Sequence, residues 1–254
     1  MEFRSQKTTG AAFVMAVCLI PSALAQRELR YDVRHDRWGK DDNGTLVIDE
    51  RGIAYQEVSK KKNKQPDQLQ HDKWAYQDIQ QLYIAPNKLT VVTYIDRKWR
   101  FGADKEYQFE LRSGNFNEAY MLLKDRLDQR FVAAIADEKA KMLWEIPVKL
   151  LGTITGSEGV LQVGPDRLVY KTDRKDQSRT WRYRDIENIS TSSPFQLTVT
   201  TFERAKTHYG SLKGFNFQLK QPLEEKRYNL LWRRLNQSKG LQLLTSVEQK
   251  DTEN

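Results

Sequence analysis

Apolar positions in this chain recur mostly at every second residue. Leu46 and Ile48 alternate with polar neighbours, and so do Ile53 and Tyr55. Leu89, Val91 and Thr93 follow the same rule, and then Tyr107, Phe109 and Leu111. A period of two, carried by β-branched and aromatic residues, predicts half-buried antiparallel strands. Asp49-Glu50-Arg51-Gly52 and Gly164-Pro165-Asp166 fall between adjacent runs as hairpin turns. Ala85-Pro86-Asn87 and Ser193-Pro194-Phe195 mark a further turn. The period then changes. Tyr120, Leu123, Leu127 and Phe131 share one face of a helix, with Asn115 or Asn117 available as its cap. Tyr228, Leu231 and Leu235 repeat that stripe, and Pro222 lies near the helix start.

The pattern is written twice. Trp74-Ala-Tyr76-Gln-Asp78-Ile79 matches Trp181-Arg-Tyr183-Arg-Asp185-Ile186, 107 positions later. Lys88 to Thr93 matches Gln196 to Thr201, and Tyr107 to Leu111 matches Phe215 to Leu219, both at an offset of 108. Toward the N-terminus, Gly44 to Ile48 matches Gly159 to Val163, and Tyr55 matches Tyr170, at 115. The change from 115 to 107 falls in one loop, Glu57 to Lys73 in the first copy and Lys171 to Thr180 in the second. Copies of about 105 residues have the usual size of one domain. The copies run over 29–131 and 143–237. Between them 132–142, rich in Ala and charge without Gly or Pro, predicts a helical linker. Residues 238–254 form a C-terminal tail. Trp74, Tyr76, Asp78, Trp181, Tyr183 and Asp185 are read as structural. The aromatics belong to a fourth strand, and each carboxylate accepts backbone N–H bonds where that strand bends.

Six or seven short strands and a closing helix, twice over, resemble bacterial pleckstrin-homology-like (PH-like or GRAM-like) modules. The resemblance rests on the Gly-x-Leu-x-Ile, Gly-Ile-x-Tyr, Trp-x-Tyr-x-Asp-Ile, Leu-Thr-Val and Tyr-x-Phe-x-Leu strands and the helix. It implies a mainly β chain with one C-terminal helix per repeat. Each repeat would be a bent β-sandwich or barrel whose helix plugs one open corner.

The first residues read separately. Arg4 and Lys7 precede the apolar run Gly10–Ile20, which Pro21 breaks, and Ala23-Leu24-Ala25 is a small-x-small cleavage site. This is a signal peptide over 1–25, cut between Ala25 and Gln26, and it implies export to the periplasm or beyond. Val17 before Cys18 argues against a lipidated cysteine, and cleavage would remove the only cysteine. That excludes a structural disulfide, a thiol nucleophile and a thiolate metal site. No other segment resembles a transmembrane helix.

Net charge is +8, from 42 Lys and Arg against 34 Asp and Glu. Lys60, Lys61, Lys62 and Lys64 crowd the long loop of the first copy; Lys171, Arg174, Lys175 and Arg179 lie in the shorter loop of the second. Arg97, Lys98 and Arg100 flank Trp99. In PH-like modules loops beside the early strands often hold anions, so an anionic membrane surface or a polyanion is one expected partner. Nucleic acid is not, because the aromatics occupy strand-core positions rather than a stacking row. The three histidines, His35, His71 and His208, show no metal-ligand spacing, and His35 reads as a turn or surface residue. Asp41-Asp42-Asn43-Gly44 lacks the rest of a calcium loop. No nucleotide or nucleophile motif is present, and no cofactor is expected. The sequence therefore favours a non-enzymatic binding protein. Its partner, an unknown protein, would meet an exposed sheet edge or the groove between the copies. An unrecognised enzyme is the remaining alternative.

Overall fold

The computed structural model describes residues 27–36, 41–58, 71–97, 103–139, 141–152, 156–205, 211–237 and 239–240. The proposed signal peptide, Lys60, Lys61, Lys62, Lys64, Trp99, His208 and nearly all of the tail lie outside them.

The first half contributes β1 (Leu29–Asp36), β2 (Asp42–Ile48), β3 (Gly52–Glu57), β4 (His71–Ala75), β5 (Ile79–Ile84), β6 (Lys88–Asp96), β7 (Asp104–Leu111) and the helix α1 (Asn117–Leu123). The short strand β8 (Phe131–Ala133) follows. The second half repeats the order with β9 (Trp144–Leu151), β10 (Ser157–Val163), β11 (Arg167–Lys171), β12 (Arg179–Arg182), β13 (Ile186–Ser190), β14 (Gln196–Arg204), β15 (Leu212–Leu219) and α2 (Glu225–Gln237). A 3-10 turn follows the Trp strand in each half, Tyr76–Asp78 and Tyr183–Asp185. The protein is therefore mainly β, and no described helix is long and apolar enough to cross a membrane.

All the described strands join one 15-stranded sheet, ordered β13-β14-β15-β9-β10-β11-β12-β8-β5-β6-β7-β1-β2-β3-β4. Each half thus has the same internal order. Two separate cores lie against it, one from Leu29 to Ile135 and one from Ile146 to Leu235. Alternation supplied both. In β2 every second residue from Asp42 to Ile48 is buried, and in β14 every second residue from Leu197 to Glu203 is.

Four expectations need correction. Residues 132–142 are not a helical linker. Val132 and Ala133 belong to β8, which pairs parallel with β5 and antiparallel with β12 at Thr180. An open sheet edge demands partners for its N–H and C=O groups, and that demand outweighs the helix propensity of alanine. The apolar stripe through Leu127 and Phe131 is likewise not one helix face, because α1 ends at Leu123 and Phe131 opens β8. The N-cap position of α1 is Phe116 rather than Asn115 or Asn117; Asn115, one residue earlier, accepts the Asn117 N–H on its Oδ1 at 3.0 Å. Finally, His35 is not a surface residue. It is 3% exposed, with Phe109 4.8 Å away and stacked and Tyr55 5.1 Å away edge-on.

Candidate functional site

The repeated signature turns a corner rather than filling one strand. Trp74 and Ala75 close β4, Tyr76 to Asp78 make the turn, and Ile79 opens β5. Both tryptophans are buried, and each meets the same two counterpart rings. Trp74 lies 4.6 Å from Tyr107 and 6.1 Å from Phe109; Trp181 lies 4.8 Å from Phe215 and 6.5 Å from Phe217. Tyr76 donates its hydroxyl to the Asp49 carbonyl and Tyr183 to the Gly164 carbonyl, each at 2.6 Å. These tyrosines pin the corner to the preceding hairpin. Burial pushes the Tyr183 hydroxyl up to about 12. Gly44 and Gly159 also hold counterpart places. A Cβ on Gly159 would meet the Lys171 carbonyl at 2.2 Å and the Tyr170 ring at 2.8 Å, and Gly44 faces Gln56 and Tyr55 alike.

The two aspartates differ. Asp185 is 7% exposed and accepts the Arg182 backbone N–H at 3.0 Å, as a carboxylate at a bend should. It also pairs with the Arg182 guanidinium at 2.7 Å. Burial still holds its carboxyl above the ordinary range, against the pull of Arg182. Asp78 is exposed. The position equivalent to Arg182 is Ala75, so the partner that makes Asp185 structural is missing there.

Arg182 does more than pair with Asp185. Its guanidinium donates to the Lys124, Leu127 (2.7 Å) and Asp128 (2.8 Å) carbonyls of the first half, and Arg184 donates to Leu127 at 2.9 Å. A cation at the carbonyl end of a helix is favourable. Asp137, just after β8, gathers Tyr120 Oη (3.1 Å), Lys124 Nζ (3.2 Å) and Arg167 Nη1 (2.7 Å). Burial raises the Asp137 carboxyl, but the Lys124, Tyr120 and Arg167 contacts outweigh it and leave it below the ordinary range. Thr180 Oγ1 accepts the Asp137 N–H at 2.9 Å and donates to the Ile135 carbonyl at 2.6 Å. Arg204 ties β14 to the first half through Asp104 (2.6 Å) and Gln80 (2.7 Å). The halves are thus bolted together by buried, hydrogen-bonded charge.

Above this seam lies a groove of about 990 Å³. One wall is the outer face of α1, with Asn117, Glu118 and Met121; Pro86, Asn87 and Asn115 extend it. The floor is Ala134 to Lys139, and the opposite wall is the loop from Lys171 to Ser178. Met121 is 39% exposed, a large apolar side chain facing water. Asp176 takes a left-handed φ of 58°, a conformation that aspartate adopts more readily than most side chains. Its carbonyl accepts Arg179 Nη1 at 2.8 Å, which fixes the loop.

The basic residues of the second copy's shorter loop are divided. Lys171, Arg174 and Lys175 lie on the groove wall. Arg179 is buried instead, with Glu203 at 3.2 Å, and Lys213 reaches the same carboxylate at 3.0 Å. Acids match the bases along the groove, with Arg27, Lys139, Lys171, Arg174 and Lys175 set against Glu118, Asp137, Glu138, Asp173 and Asp176. No cluster of three or more His, Cys, Asp or Glu side chains fit to hold a metal occurs among the described residues. The sequence pointed toward a groove between copies, but α1 and the β8 floor were not legible as its walls.

No protein-family profile and no curated protein sequence matches the chain. Among solved structures it is similar to the C-terminal domain of an unknown protein from Leishmania infantum, at 13% identity over 47% of this chain and 94% of that one, with a TM-score of 0.30. It is similar also to the Spt16D Pob3N heterodimer, at 10% identity over 69% of this chain and 83% of that one, with a TM-score of 0.28. Likeness at that level carries no argument about function.

Proposed function

We propose that the chain is an exported, non-enzymatic binding protein, built from two PH-like units, whose seam groove holds an extended segment of a partner polypeptide. The repeated order of seven strands and a helix supports the two-unit reading. The observation that carries the binding reading is the groove itself, which both halves line. Its volume suits several peptide residues. The side-chain amides of Asn87, Asn115 and Asn117 on one wall offer donors to a peptide backbone, whereas the Thr172 and Ser178 hydroxyls on the other already donate to the Glu158 and Thr172 carbonyls. Met121, Pro86 and Ala134 offer apolar contact. The balanced charge of the rim gives little pull on a polyanion.

Selection of a displayed peptide library on the full-length protein tests this. Selected peptides should bind at least about tenfold more weakly to Met121→Asp, a loss of about 1.4 kcal/mol. They should bind equally to a variant with Lys60, Lys61, Lys62 and Lys64 all changed to Gln. Peptides indifferent to Met121→Asp would overturn the groove reading. Salt-sensitive retention on heparin or anionic vesicles, abolished by the four-lysine variant, would replace it with polyanion binding.

A further inference from the structure

The second helix turns a cationic face to water. In α2, Lys226, Leu230, Arg233 and Gln237 stand at i, i+4, i+7 and i+11, one side of the helix, and all four are exposed. Leu231 and Leu235 lie on the opposite side and are buried. At about 1.5 Å per residue, Lys226 and Arg233 stand about 10 Å apart along the axis, with Leu230 between them. Neither cation pairs with a carboxylate among the described residues. Arg227 and Arg234 border the face. Arg227 meets Glu224 at 3.7 Å, and Arg234 donates to the Pro165 carbonyl at 3.2 Å. Glu224 and Glu225 lie at the helix start, off this face.

The first half carries the opposite chemistry at the same places. At an offset of 108, Lys226 and Arg233 stand where the first half has Glu118 and Asp125, and Phe195 stands where it has Asn87. Leu230 matches Leu122, but Leu122 is 8% exposed and Leu230 is 39% exposed. Phe195 is 50% exposed. It sits beside the start of α2, because the Pro194 carbonyl accepts the Leu223 N–H at 2.7 Å. In the first half, Asn87 and Glu118 belong to the groove wall, across from the Lys171 to Ser178 loop. No third half stands across from α2. Where the face is left to water, cations and an aromatic ring replace the acids and the amide.

We propose that this face of α2, with Phe195 at its head, docks on an anionic membrane surface. Charge complementarity selects that occupant. Lys226, Arg227, Arg233 and Arg234 reach lipid phosphates from their apolar stems, while Leu230 and Phe195 enter the boundary between headgroups and acyl chains. A helix face without an opposite wall suits a flat surface, whereas an extended peptide is better held in a cleft such as the groove. A second copy, set against α2 as the second half is set against α1, would bring Lys60, Lys61, Lys62 and Lys64 toward these cations. Like charges disfavour that arrangement. The proposal is independent of the groove.

Co-sedimentation of the full chain with vesicles at low salt tests it. The vesicles contain about one-third phosphatidylglycerol in phosphatidylcholine, or phosphatidylcholine alone. The protein should bind the first and not the second. Lys226→Gln with Arg233→Gln should weaken binding about thirtyfold, at about fivefold for each cation. Phe195→Ser should weaken it about fivefold, through lost apolar contact. These side chains are exposed, so both variants should keep the parent Tm. The variant with Lys60, Lys61, Lys62 and Lys64 all changed to Gln should bind as the parent does. Failure to bind the anionic vesicles overturns the proposal. So does a loss caused by the four-lysine variant instead of the α2 variant. Binding that follows the α2 cations but ignores Phe195→Ser, with equal retention on heparin, replaces the membrane with a soluble polyanion.

Discussion

Arg182→Met should destabilise the protein more than any change to the equivalent corner of the first half. The Arg182 and Asp185 side chains are 13% and 9% exposed, so the pair is shielded from water. Losing the guanidinium leaves a buried carboxylate unpaired, which costs about 3–5 kcal/mol. It also removes the donor to the Lys124, Leu127 and Asp128 carbonyls, each worth about 1 kcal/mol. These losses overlap, because one group serves all four partners. We therefore expect a total near 3–5 kcal/mol, or roughly 6–20 °C in Tm for a chain of this size. Equilibrium urea unfolding and calorimetry measure both. The coupling has its own signature: Arg182→Met with Asp185→Leu should recover much of the loss, since no unpaired charge remains. Burial holds the Asp185 carboxyl high, so the folded state keeps its proton over a window in which the unfolded chain has lost it. The deficit of Arg182→Met should therefore shrink as pH falls toward the ordinary carboxylate range. Asp78→Ala, at the exposed counterpart, should change stability by less than about 0.5 kcal/mol. A loss below about 1 kcal/mol for Arg182→Met, or a double variant no better than the single, would refute this account of the seam.

Tyr183→Phe removes the hydroxyl that pins the second corner to the Gly164 carbonyl and should cost about 1–2 kcal/mol in urea unfolding, with Tyr76→Phe somewhat less because its site is more open. Gly159→Ala forces a methyl against the Lys171 carbonyl and should cost about 1–3 kcal/mol, visible as a lower Tm at unchanged far-ultraviolet circular dichroism. Asp137, Asp128 and Asp166 all titrate below the ordinary carboxylate range. Their stabilisation is complete above that range and is lost as pH falls through the lowered folded values. Tm should therefore drop between about pH 4 and pH 2, and Asp137→Asn should flatten that drop; an unchanged slope would show that the seam does not carry it.

The sequence by itself determined most of the strands and both cores. Alternation is a local property, so Leu46, Ile48, Val91 and Phe109 could be assigned to a buried face before their partners were known. The offsets of 107, 108 and 115 placed Trp74 with Trp181 and Tyr55 with Tyr170, and the same ring contacts recur around them. The tertiary structure decided the rest. Phe131-Val132-Ala133 reads as helix or linker until the open edge of β5 supplies hydrogen-bond partners that a helix would have to forgo. Asp78 and Asp185 read as equals, because nothing near either says that Arg182 will close over one and leave the other in water. The groove has the same origin. Met121, Ala136 and Arg174 are far apart in the chain, and only the strand that joins the two halves brings them to one cleft.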